Sequence, residues 1–557
     1  MHDRRSGSST ADRLLWRAPE SETWSGWALG GPETAIDPRI SPDGHLLAFQ
    51  VMEQGQMQIA VMTPESGNWS ILTHNRELGG PAEITWPRDG ASLYYGRGAD
   101  VPRGIYSVPV LGGEEKLVLE GAQVPEVLPD GTLLVYRLNA QRNLQLSRYW
   151  RETGRLQELP VICRATVWTD SVHISASPDG KEAVVVGTPL GREQEPDRLL
   201  AVDVNTGASR PLTPLGVRLS SNAAAVTRDG KSVVVAMVED ALTRVVSIPM
   251  TGKFAPRTLF TTTGGINYLD TDSDGHVYIS TFGLAEEVVR FSPGSNGSEV
   301  VASLSQPGGV IVSLPDGRTI ISMPSLGRRR LMALANGKNP VPLVVTTEET
   351  APPMTAAGPR GIAFMIGPPP RTTIGVAETA TGRMTSRITP GKGRISAIAS
   401  SPDGKTLYFS ASGKIWSVPS AGGDSRFLRG GDSVTADPGG RGLVISTVES
   451  SKIRLFRVPL DGGNESEITT DGSVRLAPLD TNPGALNADG RLLVQLTPPD
   501  TWFFVPGILD TNTGHLSRMR AEQMSNASSL SWTRDGRIVG LRTRYFATLW
   551  RFQPVRK

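Results

Sequence analysis

The sequence predicts an all-β chain built as tandem β-propellers, and three observations carry that expectation. A short turn ending in glycine recurs, the residues after each turn form an unbroken apolar run, and the copies follow one another at steps of 36 to 50 residues. Ser41-Pro42-Asp43-Gly44 precedes Leu46-Leu47-Ala48-Phe49, and Ser401-Pro402-Asp403-Gly404 precedes Thr406-Leu407-Tyr408-Phe409. The same turn ends at Gly90, Gly131, Gly180, Gly230, Gly275, Gly317, Gly490 and Gly536, with weaker copies at Gly361 and Gly440, twelve in all. A fixed period of this length marks a repeat architecture, and the units lack the periodicity of about 3.6 residues that helical repeats show.

Each unit reads as four strands. The turn itself is type I: proline presets φ at its second position and glycine supplies the left-handed residue that follows. Such a turn joins antiparallel neighbours. The second strand is apolar throughout, as in Val233-Val234-Val235-Ala236-Met237, which implies burial on both faces. A third strand follows with a repeated exit turn: Ile105-Tyr106-Ser107-Val108-Pro109 before Gly112-Gly113, Ile415-Trp416-Ser417-Val418-Pro419 before Gly422-Gly423, and Leu455-Phe456-Arg457-Val458-Pro459 before Gly462-Gly463. Endings such as Ile71-Leu72-Thr73 and Pro211-Leu212-Thr213 close a short fourth strand. Four antiparallel strands per unit describe a propeller blade. About twelve four-stranded blades exceed one propeller, which holds typically four to eight. The simplest division is six plus six: an N-terminal segment over 1–32, a first propeller over 33–305 and a second over 306–557. A seven-plus-five split stays open.

The combination of Ser-Pro-Asp-Gly, apolar run, third strand, Gly-Gly and Leu-Thr resembles the WD-repeat-like units of TolB-type β-propellers from about residue 33 to the C-terminus. More narrowly, Leu29-Gly30-Gly31-Pro32-Glu33 and Val101-Pro102-Arg103-Gly104-Ile105-Tyr106-Ser107-Val108-Pro109 resemble the propeller halves of multidomain bacterial Ser/Thr protein kinases. The resemblance implies fold rather than function, because the matched residues are turn and core positions.

The two ends complement each other. The twelfth unit stops after its third strand, Leu549-Trp550-Arg551-Phe552, while Leu15-Trp16-Arg17-Ala18-Pro19 reads as a third strand and Thr23 to Leu29 as a fourth. An unclosed ring leaves a raw strand edge, so part of residues 13–31 is expected to pair with the terminal strand. The competing expectation is a frayed terminus with a short helix from Ala11 to Ala18.

Composition excludes several classes. In 557 residues, 57 Lys and Arg balance 55 Asp and Glu, for a net charge of +2. No basic field for nucleic acid follows from that balance. The single Cys163 excludes an intramolecular disulfide and a Cys-rich metal site. No apolar run reaches the roughly 18–20 residues that span a bilayer, so no membrane insertion is expected. As the chain stands, no signal peptide is visible and the expected location is cytoplasmic; the alternative is the extracytoplasmic part of a membrane-anchored protein.

Few residue patterns in the chain carry chemistry. His45 and His276 follow turn glycines, a slot that Lys181, Lys231, Arg318, Lys405, Arg441, Arg491 and Arg537 fill elsewhere, so both read as solvated strand starts. His2 lies in the tail, and His74, His173 and His515 read as loop singletons. No Gly-x-Ser-x-Gly elbow, phosphate loop, kinase catalytic loop or His-Glu-x-x-His pattern occurs. Asp270-Thr271-Asp272-Ser273-Asp274-Gly275 matches the first half of a calcium loop, but Tyr278 and Thr281 stand where later ligands are needed; the hairpin-turn reading of Asp270, Asp272 and Asp274 is preferred. Trp502-Phe503-Phe504 is expected in the core, Arg328-Arg329-Arg330 in a solvated loop, and the Asp residues of the turns, such as Asp43, Asp179 and Asp403, each in its own hairpin.

The expected function is therefore a non-enzymatic binding, scaffold or sensor module recognising a protein or peptide partner, with no catalytic residues, metal or cofactor. Two alternatives are the sensor half of a kinase system lacking its kinase domain, and a propeller lyase or hydrolase with an unrecognised tunnel site. Loops are free to vary where strands are not, so binding is expected at a tunnel mouth or in the cleft between the propellers, with long loops at 141–170 and 183–197.

Overall fold

The computed structural model of this chain describes residues 13–16, 23–75, 80–97, 103–139, 144–164, 173–189, 198–239, 242–295, 297–304, 309–325, 328–334, 340–367, 372–449, 452–471, 475–476, 485–498, 501, 503–519 and 526–555. Among these, every regular element is a strand. The first repeat shows how the sequence dictates this. Gly44 takes φ 77° and donates its N–H to Ser41 O at 2.9 Å. Asp43 Oδ1 accepts from the Ser41 hydroxyl at 2.5 Å and from His45 N–H at 3.1 Å, and Leu46 N–H donates to Ser41 Oγ at 2.9 Å. These side chain–backbone bonds satisfy the bend locally and hold the Asp43 carboxyl below its usual range. Ser401 and Asp403 build the same turn with bonds of 2.7, 3.0 and 2.9 Å.

Around each turn a sheet forms in chain order, with burial falling from inside to outside. In the first, Ala35–Ile40, Leu47–Glu53, Gln56–Met62 and Trp69–Ile71 pair antiparallel; the middle two strands are almost wholly buried, the fourth is exposed. The core lies between successive sheets. Val184, Val186, Leu199 and Ala201 of one sheet pack against Ala224, Val226, Val233 and Val235 of the next. Sheets covered on both faces explain the apolar second strands.

The chain forms two compact units: Met1–Gly283 with Tyr545–Lys557, and Leu284–Arg544. In the first unit, the inner strands Ala35–Ile40, Pro81–Thr85, Ala122–Val127, His173–Ala176, Leu219–Val226 and Gly265–Thr271 adjoin one another in order, and the last adjoins the first. That ring is a propeller closed on itself. The second unit repeats the plan: Asn526–Trp532, Ile311–Ser313, Thr350–Ala357, Ile395–Ser400 and Ser433–Ala436 adjoin in order, and the sheet holding Leu492 and Leu509 packs between Leu455 on one side and Leu530 on the other.

The unit border differs from the expected one after residue 305. The second strand of the sixth repeat runs straight on into its third as Val277–Phe291, and the twelfth repeat does the same as Ile538–Pro554. The chain leaves the first unit between 283 and 284 and returns between 544 and 545. The first unit's last sheet thus consists of Gly265–Thr271, 277–283, 545–554 and Trp24–Ala28. The second unit's counterpart consists of Asn526–Trp532, 538–544, 284–291 and Glu299–Leu304. Counting turns places a border at a turn; here no turn separates the second and third strands, so the crossing falls inside them.

The N-terminal segment completes the first unit. Trp24 pairs with Pro554 and Ala28 with Trp550, and Arg13–Trp16 pairs outside Trp24–Trp27. Residues 13–16 form a strand, not the helix of the competing expectation. Phe552 stacks on Phe260 with centroids 3.9 Å apart, and Gly26 lies against the same ring: a Cβ there would stand 2.6 Å from it.

Candidate functional site

Inner strands of neighbouring sheets share no backbone ladder, so their amides need other acceptors. Side chains provide them, by a positional rule. Thr85, Glu126, Ser175 and Asp270 each stand five residues before their turn glycine, and the amides they accept, Val127, Ala176, Val226 and Ile40, each stand four before theirs. The bonds measure 3.3, 2.8, 3.1 and 2.9 Å. Asp37 adds Ile84 N–H at 3.0 Å and Glu83 adds Val124 N–H at 3.0 Å. Asp37, Glu83 and Val124 carry φ between 53° and 58°, beside register shifts in their strands. These are β-bulges, which re-aim side chains. The second unit uses the same slots with uncharged groups: Ser531 accepts Ser313 N–H at 3.1 Å and Ser529 accepts Ile311 N–H at 2.7 Å.

The first unit's belt is charged, and two of its six slots depart from the rule: Ala225, five before Gly230, has no side-chain acceptor, and Arg39 is a cation. Arg39 occupies the acceptor slot with a guanidinium. It donates through Nε to Ile84 O at 3.1 Å and through Nη1 to Leu269 O at 2.9 Å, and its Nη2 lies 3.0 Å from Asp37 Oδ1 and 3.3 Å from His173 Nδ1. Asp37 Oδ2 also accepts from Gln50. Burial opposes the guanidinium charge; Asp37, then Asp270 and Glu126, outweigh it and hold Arg39 above its ordinary pKa. Burial, followed by the Arg39 charge, pushes His173 well below the usual histidine range. The residue is 5% exposed. Burial likewise raises Glu126 and Asp270, although both carboxylates are engaged twice. Glu126 takes Ala176 N–H and, at 3.0 Å, the Thr85 hydroxyl; Asp270 takes Ile40 N–H and, at 2.7 Å, its neighbour Thr271 N–H.

Arg39, Thr85, Glu126, His173, Ser175 and Asp270 line a cavity of about 280 Å³ at the turn end of the first unit's axis. Its rim is set by the residues two before five of the six turn glycines, Pro42, Arg88, Pro129, Pro178 and Arg228. Arg228 and Arg88 are exposed. Arg228 donates to Thr271 O at 3.2 Å and to Ile40 O at 3.4 Å. Neither arginine has a carboxylate within 4.0 Å among the described residues.

The sequence-selected residues fare differently. His173 is no loop singleton: it lies on an inner strand in the axial belt, in the slot of Asp37 and Glu83. His45 and His74 are exposed, and His276 and His515 pair with Asp272 at 2.7 Å and Asp471 at 2.8 Å. His2 lies outside the described residues. Asp270 and Asp272 have separate partners: Asp272 holds the turn through Asp274 N–H, His276 N–H, the His276 ring and Tyr278. Among the described residues no group of three His, Cys, Asp or Glu side chains is placed to hold a metal. Arg328–Arg330 begin the strand Arg328–Leu334 instead of filling a loop. Phe503 is buried; Trp502 lies outside the described residues. The stretch 141–170 holds strands Leu144–Trp150 and Arg155–Glu158 where a long loop was expected; residues 165–170 and 190–197 lie outside the described residues. Among the described residues no helix is long and apolar enough to cross a membrane.

No family model matches the chain, and no curated protein matches it. Among solved structures, TolB from Acinetobacter baumannii is 18% identical over 44% of this chain and 62% of its own, with a TM-score of 0.36. A putative TolB from Agrobacterium tumefaciens is 16% identical over 49% of this chain and 100% of its own, with a TM-score of 0.35. The tricorn protease is 14% identical over 91% of this chain and 60% of its own, with a TM-score of 0.34. The chain thus spans less than two thirds of the Acinetobacter and tricorn chains.

Proposed function

We propose that this protein is a non-enzymatic binding module that receives a protein or peptide partner at the axial mouth of its first unit. One observation carries the reading: the axial carboxylates Glu126 and Asp270 are spent on the amides and hydroxyl that join the inner strands, while the rim residues Pro42, Arg88, Pro129, Pro178 and Arg228 are left to face the mouth. Glu126 and Asp270 have pKa values moved as a catalytic acid's would be, but each holds two donors that the fold needs. The rim is also where a concave, mixed apolar and polar surface collects side chains from every sheet of the ring, the usual setting of a binding site.

The test is capture of partners on the immobilised full chain, followed by titration of the purified partner. A Pro42→Trp substitution fills the mouth, and Phe427→Ser alters an exposed outer strand of the second unit. The partner's affinity is expected to fall at least tenfold with Pro42→Trp and to stay unchanged with Phe427→Ser. The reverse pattern would place binding on the outer strands.

A further inference from the structure

We infer that Arg39 and His173 form a latch across the axis of the first unit, closed while His173 is neutral and released when acid protonates it. The latch builds on the axial-mouth reading and regulates that same site. Ring order supplies the geometry. Arg39 stands on the first inner strand; Ile84 and Leu269, whose carbonyls it meets, stand on the second and sixth, and His173 stands on the fourth. A side chain that touches both neighbouring strands and the opposite one lies across the ring. Arg39 and His173 both line the cavity, five and seven residues before their turn glycines, deeper than the rim residues at two. Their contact is part of the cavity floor.

The contact fixes a protonation state. A guanidinium has donors and no acceptor, so Nδ1, 3.3 Å from Arg39 Nη2, carries a lone pair and the ring's one proton sits on Nε2. A second proton sets two N–H groups, and two cations, against each other. The surrounding groups are already engaged. Asp37, on the first strand, lies 3.0 Å from Arg39 and accepts from Gln50 and Ile84 N–H. Glu126, on the third, holds Ala176 N–H and Thr85; Asp270, on the sixth, holds Ile40 and Thr271 N–H. Tyr268 beside Asp270 stays neutral in acid, and Leu219–Val226 of the fifth sheet has no titratable side chain. In the histidine's own sheet Glu182 lies beyond the far end of the strand, paired with Arg210. The histidine ion pairs among the described residues are those of His276 and His515, so no carboxylate stands within 4.0 Å of His173. Arg39 is tied to two carbonyls and Asp37, whereas His173 is the first residue of its strand; the imidazolium is the partner that leaves. Its departure deepens the cavity, and the fit of a partner at the mouth becomes a function of pH.

The test is nuclear magnetic resonance of the full chain carrying nitrogen-15 histidine, with the His173 signals identified by their loss in His173→Gln. At pH 7.5 the ring is expected as the neutral tautomer with its proton on Nε2. It should become an imidazolium between about pH 6 and 4, in the folded chain and about one unit or more below exposed His45. Over the same range, deuterium uptake by the amides of 173–176 should rise about threefold more in the parent than in His173→Gln, whose side-chain oxygen accepts from Arg39 at every pH. Glu126 and Asp270 titrate in both proteins and cancel in that comparison. The parent titration stands by itself if the variant folds poorly. A His173 that is charged at pH 7.5, that carries its proton on Nδ1, or that stays neutral to pH 4 in the folded chain overturns the latch. So does an equal acid response in parent and variant. None of these readings involves a partner, so a latch that behaves as expected while Pro42→Trp leaves partner affinity unchanged refutes the mouth alone.

Discussion

The carboxylate of Asp270 accepts the backbone N–H of Ile40 at 2.9 Å, joining the last inner strand of the first unit to the first across 230 residues of chain. Asp270 lies among both Arg39 and Arg228, whose charges favour its ionised form against the burial that raises it. With Glu126 it is a charged version of a bond that Thr85 and Ser175 make through hydroxyls elsewhere in the ring.

Asp270→Ala should therefore destabilise the first unit far more than a surface substitution. It strands Ile40 N–H and leaves Arg39 and Arg228 short of a counter-charge. Removing one partner of a buried ionic group costs about 3–5 kcal/mol, and exposure to the cavity argues for the low end. Asp270→Asn, which keeps an acceptor, should lose less than half as much. Urea unfolding of both variants checks the difference.

The closing strand makes a second prediction. Deleting residues 1–31 removes Trp24 and Gly26 from beside Phe552, whose ring stacks on Phe260 of the neighbouring sheet, and exposes the edge of 545–554. The melting temperature should fall clearly. Gly26→Ala should reproduce part of that loss, because its Cβ would stand 2.6 Å from the Phe552 ring and overpacking costs about 1–3 kcal/mol. An unchanged melting temperature in both would contradict the closure.

Turn glycines should separate into two classes. Gly275 and Gly404 both have positive φ, 81° and 74°. A Cβ on Gly275 meets nothing within 4 Å, whereas on Gly404 it would stand 2.7 Å from the Ala357 carbonyl oxygen. Gly275→Ala should cost only the left-handed backbone strain, about 1–2 kcal/mol. Gly404→Ala should cost about 1–3 kcal/mol more from the clash. Chemical denaturation of the two variants side by side decides it.

His173 makes stability fall with acid. Its folded pKa lies below the ordinary 6.5, so below that pH the unfolded chain binds a proton that the folded chain refuses. Stability from this group is complete above pH 6.5 and declines beneath it. Glu126 and Asp270, raised by burial, act in the opposite sense, gaining stability as pH falls through their folded values. The diagnostic is therefore a difference: His173→Gln should flatten the decline between pH 6.5 and 5 relative to the parent. An identical slope would remove His173 from the account.

Much of the fold was legible because Ser-Pro-Asp-Gly turns are satisfied locally. Asp43 and Asp403 bond residues within two positions of themselves, so a single unit carries its own signal. The exchange of strands at 283 and 544 was not legible in this way. It depends on Gly283 and its neighbours continuing a strand where other repeats turn, and turn counting skips over a missing turn. The axial belt had a readable signal that motif searching overlooked. Aligning the slot five before each turn glycine gives Arg39, Thr85, Glu126, Ser175, Ala225 and Asp270, and the one cation, Arg39, marks the charged site. His173 was passed over as a singleton because its slot, seven before Gly180, carries different residue types in each sheet: Asp37, Glu83, Val124. Arg88 and Arg228 hid among turn residues for the same reason, since only ring order shows that they oppose each other.

The central claim is that the axial carboxylates hold the ring and leave binding to the rim. Hydrogen exchange at single amides tests it most directly, in the parent and in Glu126→Ala, Ser175→Ala and Asp270→Asn. Each substitution is expected to raise exchange chiefly at one partner amide in the next sheet: Ala176, Val226 and Ile40 respectively. If Ala176 and Ile40 stay as protected as in the parent when Glu126 and Asp270 are changed, those carboxylates do not carry the ring, and the assignment of a non-enzymatic site is contradicted.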